Sequence, residues 1–395
     1  MTAASAAALP YIPSSADTVL QRVPSMTDPR VRRFNQLRAE LERAPRDEGR
    51  ALALSRAYLD YGRSTGDARY LGRALAVVEP WMHAKPVPVA ILMVHATVLQ
   101  SRHAFDASRT ELREVLRREP RNAQGWLTLA SVALVQADYP AANDACVHLA
   151  QVSGDLLGIL CTSQLRALSG RAPQAYALLS LIENPGDSAP AEIRSYVEGL
   201  MADTAARLGQ TAEAERHFKA ALQWAPADNF LLADYADFLL DRGRPGDVKA
   251  LLAQDVESDT SFLRLVLAEV ALPDPKASRD IDAMRARFAA LGQRGSELYQ
   301  REQAIFELHV EHDSARALEI ARQNWNVQRA PPDMRILLEA ALAAHQPQAA
   351  APVRALIIAS HLQDPVIDRL TVQLAALPGV EATDSRAVAM AEARP

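Results

Sequence analysis

Small and apolar residues recur along this chain at offsets that suit helices packed in pairs. In "RLGQTAEAERHFKAALQWAP" (207–226), Gly209, Ala214, Phe218, Ala221 and Pro226 follow one another at intervals of five, four, three and five. The stretch before it, "SYVEGLMADTAARLG", places Val197, Met201 and Ala205 four apart, on one face of a helix. Gly209 suits a helix C-terminus, where left-handed backbone costs glycine nothing. A second helix then opens with Thr211 as its N-cap and with Glu213 and Glu215 near the positive end of its dipole. Ala214, Phe218, Ala221 and Leu222 form its buried stripe, and Pro226 stops it. The pattern predicts a helix–turn–helix unit in which short side chains let two helices approach and one aromatic fills the space between them.

The same order returns at a fixed period. Gly209 and Gly243, Phe218 and Leu252, Phe105 and Tyr139, Leu92 and Trp126, Ser108 and Ala142, and Leu112 and Cys146 all share one separation. Gly170, Ala175 and Leu179 keep the order between these sets. The interval from Gly170 to Gly209 is longer, and the turn-rich "NPGDSAP" (184–190) within it absorbs the excess. Five consecutive units therefore begin near Val89, Ala123, Leu156, Ser195 and Asn229. Residues 52–80 read as one more unit with a longer turn. Three degenerate helix pairs follow residue 260, and "DPVIDRLTVQLAAL" (364–377) reads as a capping helix. Near the N-terminus, Thr27 or Asp28 before Pro29 starts a helix with Phe34, Leu37 and Leu41 on one face.

This pattern resembles the tetratricopeptide repeat, a helix–turn–helix unit with a period of about 34 residues. Trp126, Leu129, Ala130, Tyr139 and Ala142 match its signature in one unit, and Gly209, Ala214, Phe218, Ala221 and Pro226 in another. Cys146 stands where an aromatic is usual, His95 where Leu is usual and Val248 where Ala is usual. The resemblance implies a bacterial member of the tetratricopeptide-like helical repeat superfamily. Its fold would be all-α, a right-handed α-solenoid of roughly eight or nine antiparallel helix pairs. The expected plan is an extended or disordered segment over 1–26 and helix pairs of the repeat type over 27–260. Degenerate pairs with a capping helix follow over 261–378, then a disordered tail over 379–395.

Composition narrows the function classes. The 395 residues carry 43 basic and 48 acidic side chains, a net charge of −5, so no general affinity for nucleic acid or anionic lipid is expected. Only Lys85, Lys219, Lys249 and Lys276 are lysine; the arginine excess reads as a coding bias. No run of eighteen apolar residues occurs, so membrane insertion is not expected. The N-terminus as written lacks the basic and apolar regions of a signal peptide, which points to the cytoplasm; a removed leader would point to the periplasm instead. Cys146 and Cys161 have no metal-ligand spacing and read first as two buried small hydrophobes. A disulfide between adjacent helices is the alternative, and it requires an oxidising compartment.

Sites of chemistry are sparse. "GRSTG" (62–66) has the letters of a nucleophile elbow but follows a helix pattern rather than a strand, so it reads as a turn. His309 and His312 in "HVEHD" could share a metal, yet no third ligand stands at a suitable spacing, so they read as surface or helix-end residues. Arg30, Arg32 and Arg33, and Arg117, Arg118 and Arg121, lie beside glutamates and read as solvated helix faces. No phosphate-binding loop, dinucleotide fingerprint or zinc-protease motif is present, and no cofactor or metal is expected. Repeat proteins that dock chaperones clamp a carboxylate with Lys and Asn on successive first helices. The matching positions here, Met93, Thr97, Leu127 and Ser131, lack those groups, so that mode is not expected.

The expected function is therefore non-catalytic binding of a protein or peptide partner on the concave face lined by first helices. Thr128, Ser131, Gln164, Arg194, Asp203, Asp234 and Asp237 are its candidate residues. Two alternatives stay open: an envelope or secretion scaffold, and an enzyme or regulator with a site in the degenerate C-terminal part.

Overall fold

The computed structural model describes residues 25–182, 189–253, 258–293 and 298–377. The expectations for residues 1–24 and 378–395, and for most of the 184–190 turn, lie outside the described residues. All regular structure among the described residues is helical.

Among those residues, helix α1 (Pro29–Arg43) leads nine helix pairs. These are α2 (Glu48–Thr65) with α3 (Ala68–Met82), α4 (Val89–Ser101) with α5 (Phe105–Arg118), and α6 (Ala123–Val135) with α7 (Tyr139–Ser153). Next come α8 (Asp155–Leu168) with α9 (Ala172–Ser180), α10 (Ala191–Arg207) with α11 (Thr211–Trp224), and α12 (Asn229–Leu240) with α13 (Pro245–Leu251). The last three are α14 (Asp259–Val270) with α15 (Ala277–Gln293), α16 (Gln300–His309) with α17 (Ser314–Trp325), and α18 (Pro331–Ala343) with α19 (Ala351–Ser360). Helix α20 (Pro365–Ala375) ends the stack.

Local chemistry explains where these helices start and turn. The side chains of Asp28, Asp47, Asp67, Asn122, Asp138, Asp228, Asp313 and Asp364 each accept a backbone N–H in the first turn of the helix that follows. Thr211 is not a cap: Gln210 holds that position without a side-chain bond, and Thr211 is the first helical residue. The turn between α2 and α3 is only Gly66 and Asp67, shorter than expected. Gly66, Gly170, Gly209 and Gly243 take left-handed backbone at the turn within their pairs. His103, Ala137, His312 and His345 take the same conformation at the equivalent turns of other pairs, where no glycine marks it.

Packing follows the repeat. Ala214, Phe218 and Ala221 are buried, and Phe218 stacks on Tyr235 with ring centroids 5.1 Å apart. The aromatic thus fills the gap between its own pair and the next first helix. Leu222 is only partly buried and Pro226 is exposed. The departure at His95 is accommodated by Glu111, which lies 2.8 Å from its Nδ1.

Cys146 and Cys161 are buried, as expected, but they are joined in a disulfide. The reason is close approach of α7 and α8. A Cβ on Gly158 would lie 2.5 Å from the Ala150 Cβ, so only glycine lets these helices touch there. That contact brings the two cysteine Cα atoms to 5.5 Å, within bridging range.

Successive first helices pack on one another along the chain, which makes them the inner layer and the second helices the outer one. The stack is not an open arc. Arg207 near the end of α10 pairs with Asp364, the cap of α20, at 3.0 Å. This ion pair thus joins the two ends of a run of six helices, α10, α12, α14, α16, α18 and α20, into a helix ring. The earlier pairs lie against one edge of this ring. Val135 accepts a backbone bond from Arg329, Gln363 accepts one from Ala172, and Ala133, Leu134, Ala142, Leu165 and Leu168 share a single core with α16–α20.

Candidate partner-binding surface

The inner layer presents charges because one face of each first helix has no helix to pack on. Asp203 and Arg207 on α10 form a bidentate pair, both contacts 2.9 Å. Asp237 on α12 holds Arg264 on α14 by two bonds of 3.0 and 2.7 Å. Arg264 continues to Glu302 on α16 at 3.7 Å, and Arg301 bonds Glu302 at 3.0 Å and reaches Asp333 on α18 at 3.6 Å. Arg335 on α18 binds both oxygens of Asp241 and also Glu339, which accepts from His309.

Arg264 and Arg207 are buried, with side chains 3% and 8% exposed. Burial opposes their charge, but the adjacent carboxylates outweigh it and hold both guanidinium groups more firmly protonated than usual. The pairs Asp237–Arg264, Arg264–Glu302, Arg301–Asp333, Arg335–Asp241 and Arg207–Asp364 join different helices, so they set helix register as well as charge, whereas Asp203–Arg207, Arg301–Glu302 and Arg335–Glu339 each lie within one helix.

Asp234 differs from its neighbours. It is exposed to solvent, yet its position deep within the ring, together with Asp203 and Asp237 beside it, pushes its carboxyl up to about 7 against the pull of Arg301 and Arg264. None of the hydrogen-bond donors among the described residues serves it. Tyr196 on α10 shows the same combination. It is 47% exposed, yet desolvation pushes its phenol up. Both side chains reach water beside a large mass of protein, which disfavours their ionised forms. Phe230, one turn before Asp234 on α12, is 61% exposed.

Of the seven residues expected from sequence, the structure brings together Asp203, Asp234 and Asp237. Gln164 lies nearby and accepts from the Tyr196 hydroxyl at 3.2 Å. Thr128 does not belong to the surface: it is 4% exposed and its hydroxyl donates to the Gln124 carbonyl. Ser131, half-buried, donates to the Leu127 carbonyl. Arg194 lies over the Trp224 ring at 4.6 Å and bonds the Ala189 carbonyl, so it packs toward α11. Sequence reasoning missed Tyr196, Phe230 and the four arginines. Tyr196 and Phe230 stand second in their repeat units, counted from Ser195 and Asn229, and that shared position is the signal that could have found them.

The other motifs are structural. Gly62 and Ser64 lie within α2 and Gly66 is its left-handed cap, so "GRSTG" has no strand before it. His309 pairs with Glu339, while His312 sits in a left-handed turn, and no group of potential metal ligands occurs among the described residues. A shallow depression of about 430 Å3 lined by Arg38, Tyr58, Arg73, Ala76 and Val77 lies at the N-terminal end, apart from the acidic face. None of the helices among the described residues is long and apolar enough to cross a membrane.

No protein-family model and no curated protein matches the chain. Among solved structures it is similar to a tetratricopeptide repeat protein from Parabacteroides merdae, at 14% identity over 78% of this chain and 99% of that one, with a TM-score of 0.36. It is also similar to a chain of the APC/C hetero-tetramer Cut9-Hcn1, at 11% identity, 91% and 94% coverage and a TM-score of 0.40. The P58(IPK) TPR domain is a third, at 14% identity, 81% and 94% coverage and a TM-score of 0.21. The helix pairs themselves define the fold. Their left-handed turns, buried small residues and inner layer of first helices make the chain an all-helical repeat protein, an α-solenoid of tetratricopeptide-type pairs.

Proposed function

We propose that this chain is a non-catalytic scaffold that holds a protein or peptide partner at the inner face of α10 and α12. The observation that carries this reading is Asp234, exposed to solvent but bonded to none of the cations that serve the carboxylates around it. A basic side chain supplied by a partner would complete the pattern, with Tyr196 and Phe230 offering apolar contact beside it. Affinity capture from the native organism with the wild type and with Asp234→Lys tests it. Loss of the captured partner in the variant supports the reading, and an unchanged partner set overturns it. Asp203 and Asp237 are unsuitable for that test, because reversing either also breaks a pair with a buried arginine.

A second reading concerns compartment. The Cys146–Cys161 disulfide favours a scaffold that works where thiols are oxidised, such as a cell envelope. Thiol titration of the denatured, unreduced native protein decides it: no free thiol supports that compartment, and two free thiols contradict it.

A further inference from the structure

The N-terminal ends of α12, α14 and α16 meet at one place, and the turn between α2 and α3 sits on it. The Asn229 side chain donates to the Ser64 carbonyl, and the Tyr299 hydroxyl donates to the Gly66 carbonyl. A Cβ on Gly66 would lie 3.3 Å from the Ser258 hydroxyl oxygen and 3.8 Å from the Ser258 Cβ. Residues 229, 258 and 299 thus come from three successive helix pairs and converge on one turn.

Beyond these bonds, the His103 turn between α4 and α5 lies near Arg301 and Glu302 of α16, and the apolar contribution is small. Among the described residues, the apolar core of α1–α4 takes only Leu298 from the C-terminal half, and the core beside it takes only Val327. The Ser258 hydroxyl is buried in the contact, 1% exposed, and has no partner among the described residues. Asp67 and Asp259 stand near each other across it, each paired with its own arginine, Arg69 and Arg287. The other contact between early and late pairs is of the opposite kind. There Leu134, Leu165 and Leu168 lie in one apolar core with Leu318, Leu337 and Ile357. Burial of apolar surface resists opening, whereas a few polar bonds exchange readily with water.

We propose that the last residues of α2 with the turn after them, Ser64–Asp67, are a removable plug on the α12, α14 and α16 end of the helix ring. Helices α1–α5 swing away with it while the apolar contact stays closed, and this controls access to the inner face. That the plug gates a partner rests on the function proposed above; that it opens does not.

Hydrogen exchange on the full chain, with no partner present, tests the opening alone. Peptides covering residues 62–72 and the first turns of α12, α14 and α16 should exchange at least tenfold faster than those covering 133–142 and 334–341. Tyr299→Phe removes one bond to the plug and should speed the first set about fivefold. Ser258→Ala removes the unpartnered hydroxyl and should slow it. A Gly66→Cys, Ser258→Cys pair, whose Cβ separation of 3.8 Å suits a disulfide, should slow the first set at least tenfold when oxidised and leave the second set unchanged. Equal protection of the two sets in the wild type overturns the proposal. So does an oxidised lock, or a folded Tyr299→Phe variant, that exchanges like the wild type.

Discussion

Two glycines with the same backbone conformation should respond very differently to the same substitution. Gly170 and Gly209 both have φ of +71° at the turn within a helix pair. Alanine there costs about 1–2 kcal/mol for left-handed backbone, less roughly 0.4–1 kcal/mol regained from a stiffer unfolded chain. A Cβ on Gly209 would find nothing within 4 Å, so Gly209→Ala should cost about 1 kcal/mol and no more. A Cβ on Gly170 would stand 2.6 Å from the His361 Cβ and 2.7 Å from its carbonyl oxygen. That neighbour is the turn between α19 and α20 and cannot rotate aside, so overpacking adds about 1–3 kcal/mol. Gly170→Ala should therefore cost about 2–4 kcal/mol. Urea unfolding followed by helical circular dichroism measures both, with hydrogen exchange to locate the loss, since repeat arrays need not unfold in one step. The extra loss at Gly170→Ala should appear in α19–α20 as well as in α8–α9. Equal losses for the two variants would refute the packing of early turns against late helices.

Three further outcomes follow from buried groups. Asp237→Ala leaves the buried Arg264 with the Thr260 carbonyl at 3.3 Å and Glu302 at 3.7 Å as its one remaining carboxylate contact and should cost about 3 kcal/mol by denaturant unfolding, whereas Asp234→Ala, which breaks no bond and removes a carboxylate whose ionisation the fold opposes, should be neutral to stabilising at pH 7. Burial, with Arg301 adding to it, lowers the His103 pKa from 6.5 to about 4, so the folded chain stays neutral where the unfolded chain takes a proton. Stability should fall as pH drops from 6.5 to 4, by up to about 3 kcal/mol from this group. Asn tolerates left-handed backbone, so His103→Asn should flatten that slope in thermal melts across the window. Reducing the disulfide across its sequence separation of 15 should cost about 3 kcal/mol in unfolding with and without reductant, and Cys146→Ala with Cys161→Ala should show no further effect of reductant.

Much of the fold could be read from local signals, because its helix pairs are built from them. Asp28 before Pro29, the glycines at the turns and the stripe of Ala214, Phe218 and Ala221 each act over a few residues. The starts of α4, α6 and α12 fall at the residues the spacing indicated, and α8 and α10 begin one and four residues early. The turns at His103, Ala137, His312 and His345 were hidden because the pairs around them impose a left-handed conformation on residues that do not advertise it. The disulfide was ambiguous in sequence, since it depends on Gly158 admitting α7 to α8.

Closure of the ring was not legible at all. Arg207 and Asp364 are far apart in sequence, and their meeting is the sum of small rotations between many pairs. The same cause limited the reading of the surface. Position along a first helix singled out Asp203, Asp234 and Asp237, which stand near one another. It could not show that Arg207 and Arg264 already occupy two of them, or that Thr128 is buried. Nor could it show that Phe230 remains open one turn before the third, or that Tyr196 is open beside Gln164.

The closed ring is tested most directly by a distance between spin labels at the exposed Arg171 and Arg369, measured by pulsed electron resonance. Ala172 donates to Gln363 at 3.3 Å, and Arg369 lies within two helical turns of Gln363, so the labels should stand about 20 Å apart. An open stack would separate them by roughly five pairs at about 10 Å each, or about 50 Å. A narrow distribution at the shorter distance is the predicted result. A single population at the longer distance would contradict the closed ring, and with it the acidic inner face and its plug.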